Sequence, residues 1–279
     1  VKSKKILFET NKKSWPGALG GIKWNSNCNG IYFTHVPITD KSKKGYLFNT
    51  EGIYFDIEKK GEANVLFSKS NNPEIFFKEE DFPLLYFNDY KNQYIIGTVA
   101  GVARYRDGYI TSLESISKKE NNWNPLFKIT DKVRRFILIG NELIYLTAKN
   151  ASNFRICKTS ILQPDFENPT VLVSEYKDEI ITKFAITKDG IYFVKVKNGV
   201  EARLMLLDVK GIIKPIELPI KAGAISLKTK SPRQSDLWVT FRGCGYNSVK
   251  YSYYSKKTSF EVENPETNLT EKDKDKIMI

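Results

Sequence analysis

The chain has 279 residues, 41% hydrophobic and 13% aromatic, enough apolar side chain for a sizeable packed core, which excludes a disordered or fibrous protein. The net charge is +12, from 44 basic and 32 acidic residues. No apolar run approaches the ~18–20 residues that cross a bilayer as a helix, so a transmembrane helix is excluded.

Taken in chain order, one phrase recurs: a turn, then a short strand of β-branched and aromatic residues. It stands at Asn29-Gly30-Ile31-Tyr32-Phe33 and again at Glu51-Gly52-Ile53-Tyr54-Phe55. Looser copies follow at Asp107-Gly108-Tyr109-Ile110 and at Asn141-Glu142-Leu143-Ile144-Tyr145-Leu146. A third full copy is Asp189-Gly190-Ile191-Tyr192-Phe193, and a distant one is Ser235-Asp236-Leu237-Trp238-Val239. Asn-Gly and Asp-Gly tolerate the positive φ of tight hairpin turns, and the residues after them suit a pleated, half-buried surface. The copies at 141, 190 and 236 lie roughly 45–50 residues apart, the length of a four-stranded propeller blade.

One period can be read in full. Strands are predicted over Lys183–Ile186, Ile191–Val196, Ala202–Leu207 and Ile212–Leu218, with turns at Lys188-Asp189-Gly190, Lys197-Asn198-Gly199 and Asp208–Gly211. No window of ~12 residues carries an uninterrupted helical stripe. The expectation is an all-β chain: a β-propeller of four-stranded blades over residues 1–260, with about five to six units. An immunoglobulin-like sandwich shares the short strands but lacks the period. Alternation puts Tyr32 and Phe33 on opposite faces of their sheet, and a propeller buries both. Val1–Phe8 is the candidate strand for closing the ring, and residues 261–279 read as a charged tail or linker. The start at Val1 in place of methionine leads to the expectation of an excision or processing point, in either a piece of something longer or a smaller relative.

The chemistry available is sparse. There is one histidine, His35, at a strand end before Val36-Pro37, where a structural or surface role is expected. No GxSxG elbow, Walker A loop, EF-hand, HExxH or GxGxxG motif occurs. Cys28, Cys157 and Cys244 are far apart and odd in number, which points to free buried thiols, a reducing or redox-indifferent (cytoplasmic or periplasmic) setting, and no zinc cluster. The acidic run Glu79-Glu80-Asp81 sits in a turn-rich stretch and reads as solvent-facing. Only eight basic residues are arginine, whereas nucleic-acid readers concentrate arginine for its bidentate fork. The expectation is no catalytic residue, no metal, no cofactor and no nucleic-acid partner.

Scattered motifs from about residue 15 to 262 carry a family resemblance. Gly20-Gly21-Ile22-Lys23-Trp24 followed by Asn29-Gly30-Ile31-Tyr32-Phe33-Thr34-His35-Val36-Pro37 resembles a Gly-Ile-x-Trp strand, Gly-containing turn, aromatic strand and Tyr-Pro of the prolyl oligopeptidase family. Gly140–Thr147 is similar to that family's Gly-x-x-Leu-Tyr-x-Leu-Thr strand, and Ala151 to Arg155 to its Ala-x-x-x-Arg. Pro164–Pro169 with Val171–Glu175, and Glu217-Leu218-Pro219 with Trp238–Phe241, resemble its later blades. The departures are His35-Val36 in place of Arg-Tyr, the lack of tryptophan near Pro169, and Arg242-Gly243-Cys244 in place of Ser-Phe.

The resemblance is to the noncatalytic propeller, seven-bladed in that family, and not to its α/β-hydrolase domain. It implies a size filter: the propeller caps a hydrolase active site carried by another domain, admits short peptides and excludes folded proteins. It places Val102 or its neighbours where the family has a cysteine near the substrate cleft. Arg155 is the candidate binding residue, at an interface or ligand, on a face formed by the Asn150-Ala151-Ser152-Asn153 loop and its counterparts; the plainer reading pairs it with an acidic neighbour. The alternative function is a stand-alone propeller that binds or scaffolds at a bacterial cell surface.

Overall fold

The computed structural model describes residues 21–25, 29–38, 40–57, 63–86, 93–118, 120, 122–229 and 231–263. The expected closing strand Val1–Phe8, Cys28 and residues 264–279 lie outside them. The described chain forms five four-stranded antiparallel sheets, each in chain order, the repeating unit of a β-propeller. The first holds β1 (Lys23–Trp24), β2 (Gly30–His35), β3 (Glu51–Asp56) and β4 (Ala63–Phe67). The second holds β5 (Phe82–Tyr86), β6 (Tyr94–Ala100), β7 (Gly108–Ser112) and β8 (Asn124–Phe127). In the third are β9 (Val133–Ile139), β10 (Glu142–Thr147), β11 (Arg155–Ser160) and β12 (Thr170–Val173). The fourth comprises β13 (Glu179–Thr187), β14 (Gly190–Lys197), β15 (Glu201–Asp208) and β16 (Ile213–Ile216). The fifth comprises β17 (Ala224–Thr229), β18 (Leu237–Gly243), β19 (Tyr246–Tyr254) and β20 (Ser259–Val262). The one α-helix among the described residues, α1 (Leu113–Ser117), is a single capped turn.

The fourth sheet matches the period read in full. Its first strand starts earlier than expected, at Glu179, because a bulge at Thr182 carries the pairing past Lys183. The expected tail gives its first two residues, Glu261 and Val262, to β20. The recurring phrase opens the second strand of the first, third, fourth and fifth sheets, but the third strand at Gly52 and Gly108. Its period is therefore a sheet-to-sheet spacing, and the pair at 30 and 52 lies within one sheet.

The turn chemistry expected of the phrase holds only in part. Gly190, at φ +133° after the two-residue turn Lys188-Asp189, has the Leu207 carbonyl where a side chain would stand. Gly30 and Gly108 do not have positive φ. They lie inside strands, and a Cβ at either would come within 2.2 Å of a ring, Tyr54 or Phe127 respectively. Glycine there is a slot for the aromatic side chain of the next strand.

The chain divides into two compact units, residues 1–145 with 158–169 and residues 146–157 with 170–279. In the first, alternation sends Tyr32 into a cluster with Phe67, Leu85, Ile95 and Trp123 of the first two sheets. Its neighbour Phe33 joins Ile31, Ile53 and Phe55 on the opposite face. In the second unit, Tyr192 of β14 packs with Leu204 of its own sheet and Ile225, Val239 and Phe241 of the next. Phe193 is equally buried on the other face. At ~25 cal/mol/Å² and ~150–250 Å² per ring, each contributes about 4–6 kcal/mol of gross stabilisation.

Tyr192→Ala removes a fully buried ring between two sheets. It is expected to destabilise the chain by about 3–5 kcal/mol, read from the midpoint of chemical denaturation. A loss under about 1 kcal/mol would show that the sheets do not depend on this contact.

Candidate functional site

In an up-and-down sheet the link from second to third strand leaves from the end where the first strand begins. The link from one sheet to the next arrives at that same end. In the second unit this edge collects the 148–154 loop, the 174–178 link, the β14–β15 turn, the 217–223 link and the β18–β19 turn. Strand side chains are consumed by packing between sheets, so recognition falls to these loops.

The loop before Arg155 is held at many points. Asn150 and Phe154 take left-handed conformations, at φ 51° and 67°. The Asn153 amide donates to Glu175 Oε1 at 2.5 Å, and Ser152 Oγ donates to the same oxygen at 3.0 Å. Asn153 Nδ2 donates to the carbonyls of Tyr176 and Lys177 at 3.0 and 2.9 Å. The Asn153 carbonyl accepts from Ile181 N at 3.0 Å. Ser152, Asn153 and Glu175 thus clasp two loops together.

Arg155, the first residue of β11, is half-buried. Among the described residues it makes no ion pair, and its buried Nε has no acceptor. Two residues along the strand, burial pushes the Cys157 thiol up to about 11, although the charge on Arg155 pulls the other way. Cys157 is therefore an inert thiol. Cys244 sits exposed in the β18–β19 turn, contrary to the expectation of burial, because it stands at the tip of a two-residue hairpin connection.

Beyond the clasp lies a charged network that sequence spacing could not show. Lys195 Nζ, on β14, stands 2.5 Å from Glu179 Oε2 on β13, both side chains nearly buried. The same ammonium lies 4.4 Å from the centre of the Tyr176 ring. Arg203 approaches Glu179 Oε1 at 3.6 Å and bonds Glu201 at 2.6 Å. Burial, then the Glu179 charge, raises the Tyr176 phenol, so it stays protonated. Next to this network a cleft of about 660 Å³ is lined by Val200, Glu201, Leu218, Lys221, Cys244 and Tyr246. The Tyr246 hydroxyl donates to the Lys221 carbonyl at 2.7 Å and fixes one wall.

In the first unit the matching loop runs from 101 to 107. Val102 is fully exposed at its tip and offers no nucleophile or polar contact. His35 Nδ1 lies 3.3 Å from Glu51 Oε2, directly across the β2–β3 pairing. Sixteen residues of separation hid this carboxylate from sequence reading; among the described residues no serine or cysteine joins the pair. Glu79 makes a surface pair with Lys69 at 3.7 Å, and Asp81 accepts from the Lys78 amide, so the acidic run faces solvent. No group of three or more His, Cys, Asp or Glu gathers among the described residues.

A family model for the prolyl oligopeptidase N-terminal β-propeller domain matches residues 8–262. The chain belongs to this propeller family. The prolyl oligopeptidase B of Galerina marginata, solved with a 25mer macrocyclization substrate, superposes with a TM-score of 0.70 at 12% identity, over 87% of this chain and 33% of that one. One of two prolyl endopeptidases analysed for inter-domain dynamics gives 0.69 at 16% identity, over 86% and 34%. Oligopeptidase B of Leishmania major gives 0.60 at 14% identity, over 86% and 33%. The chain thus spans about a third of each of these structures. A sequence search of curated proteins finds no match.

The two described cysteines of the propeller should separate by reagent. Iodoacetamide at neutral pH is expected to alkylate Cys244 in the native protein and to reach Cys157 only after unfolding, read by peptide mapping. Native labelling of Cys157 would contradict its place in the core.

Proposed function

We propose that this propeller is the noncatalytic, size-filtering domain of a prolyl-oligopeptidase-type serine peptidase, acting with an α/β-hydrolase domain and short peptides. The observation that carries the reading is the family match over nearly the whole described chain. Two physical features agree with it. The one histidine is held by Glu51 across a strand pair, so the chain offers no imidazole to a nucleophile. The first and second sheets, and the fourth and fifth, are joined by buried aromatic rings, so parting them to admit a folded domain would expose several large side chains. An extended peptide demands no such opening.

In this reading the loop edge meets the hydrolase domain or the peptide, and Arg155 is its contact. The guanidinium fork, unpaired by any acid of the described chain, suits a carboxylate or a set of carbonyls. The clasp of Asn153 and Glu175 holds the strand that carries it.

The protein alone is expected to leave a chromogenic proline-containing dipeptide intact; hydrolysis abolished by His35→Ala would overturn the reading. In the whole peptidase, an extended peptide should be cleaved and the same segment inside a folded domain spared. Arg155→Ala there is expected to lower kcat/KM by about tenfold while the melting temperature stays within about 4 °C. Unchanged kinetics would leave Arg155 a structural residue. A reading frame encoding no GxSxG hydrolase beside the propeller would favour the stand-alone binding module.

A further inference from the structure

Arginine is scarce in this lysine-rich chain, and the four arginines of the first unit fall in two short runs, Arg104 with Arg106 and Arg134 with Arg135. One member of each run lies near the same tyrosine. Arg106, at the end of the 101–107 loop, donates from Nη1 to the Tyr86 hydroxyl at 3.3 Å. Lys23 of β1 places its ammonium 4.5 Å from the centre of the Tyr86 ring and donates to the Leu85 carbonyl at 2.9 Å. On β9, Phe136 meets the Tyr86 ring edge-on at 5.0 Å, and Arg135 precedes it.

None of Lys23, Arg106 and Arg135 pairs with a carboxylate among the described residues. Asp107, beside Arg106 in sequence, is engaged by the Ile129 amide at 2.7 Å. Burial lowers the Lys23 ammonium, and burial followed by the Arg134 charge lowers the Arg135 guanidinium. Arg135 is exposed on β9, but Lys23 and Arg106 are half-buried, and partly buried cations normally take an acid, as Lys195 takes Glu179. Here no acid among the described residues takes that place.

We propose that Lys23, Arg106 and Arg135, arranged about Tyr86 on the first strands and the β6–β7 loop of the first unit, bind the carboxylates of an acidic peptide. The Tyr86 and Phe136 rings supply apolar surface for the stem of a glutamate or aspartate beside the cations that take its head. The inference rests on the reading of the chain as a peptide-filtering propeller only in naming the ligand; it assigns that propeller a preference for acidic sequences.

The test is fluorescence anisotropy on the purified protein with a labelled peptide bearing several glutamates and its glutamine counterpart. The glutamate peptide is expected to bind about tenfold more tightly, an advantage that shrinks as salt is raised. R106Q/R135Q should remove most of that advantage with the β-sheet circular dichroism unchanged. K23Q alone provides a milder variant should the double one unfold. K210Q/K256Q, which removes the same charge from exposed positions in the other unit, should leave binding intact. Equal loss in that control would show a net-charge effect and overturn the site, as would equal affinity for the two peptides. A phosphoserine peptide that binds more than about tenfold tighter than the glutamate peptide would overturn the carboxylate assignment. The filtering role fails separately: it is measured with a neutral peptide in the whole peptidase.

Discussion

A strand that buries both of its faces governs this molecule. In a two-layer sandwich each strand can alternate apolar and polar residues, but a sheet packed between two other sheets has no wet face. The second strands Gly30–His35 and Gly190–Lys197 accordingly run Ile-Tyr-Phe with almost no solvent contact. The ring on one face then reaches the next sheet while the ring on the other packs among its own strands, as Tyr32 and Phe33 do in the first unit. Glycine before the aromatic run follows from the same constraint, since ring and strand at Gly30 and Gly108 occupy the space a methyl group would need.

That constraint also decides where polarity can go. Charges that enter the sheets must come paired. Glu179 and Lys195 meet across neighbouring strands at 2.5 Å, with Tyr176 over the ammonium and Arg203 at the second oxygen. Losing Glu179 alone would strand a nearly buried ammonium, and losing both residues together would cost less, because desolvation of an unmatched charge is the larger effect.

The repeat and the strand order were legible because they depend on local pattern: β-branched and aromatic runs separated by turn residues, at a sheet-to-sheet spacing. Turns at Asn198-Gly199 and Gly211 also follow local rules, each with the positive φ the residue type favours. What was not legible depends on register and on contacts between sheets. Thr182 is an unremarkable residue in sequence, yet it bulges and lengthens β13. Gly30 reads as a hairpin glycine and serves instead as a slot for Tyr54. Glu51 and His35 meet only because β2 and β3 pair in one register and no other. Of the candidate site, Arg155 was visible as a residue type at a family spacing; the clasp of Asn153 on Glu175 and the gathering about Tyr86 were not.

Lysine and arginine divide the work of the positive charge. Most of the described lysines stand exposed, many of them at turns, where a flexible, strongly hydrated ammonium contributes solubility and little else. Arginine holds its fork rigid, so it is worth placing only where geometry is fixed. Arg203 confirms the rule from the structural side, pinned between Glu201 and Glu179. Arg106 and Arg155 follow it from the other side. Each stands on a well-held segment, Arg106 against the Tyr86 hydroxyl and Arg155 at the head of a strand stapled by Asn153, yet neither has an acid within the described chain. A rigid cation without its anion contributes nothing to the fold that a leucine or glutamine would not contribute at lower cost. Its position is better explained by an anion or carbonyl that comes from outside the sheet, which is where a propeller edge meets its partners.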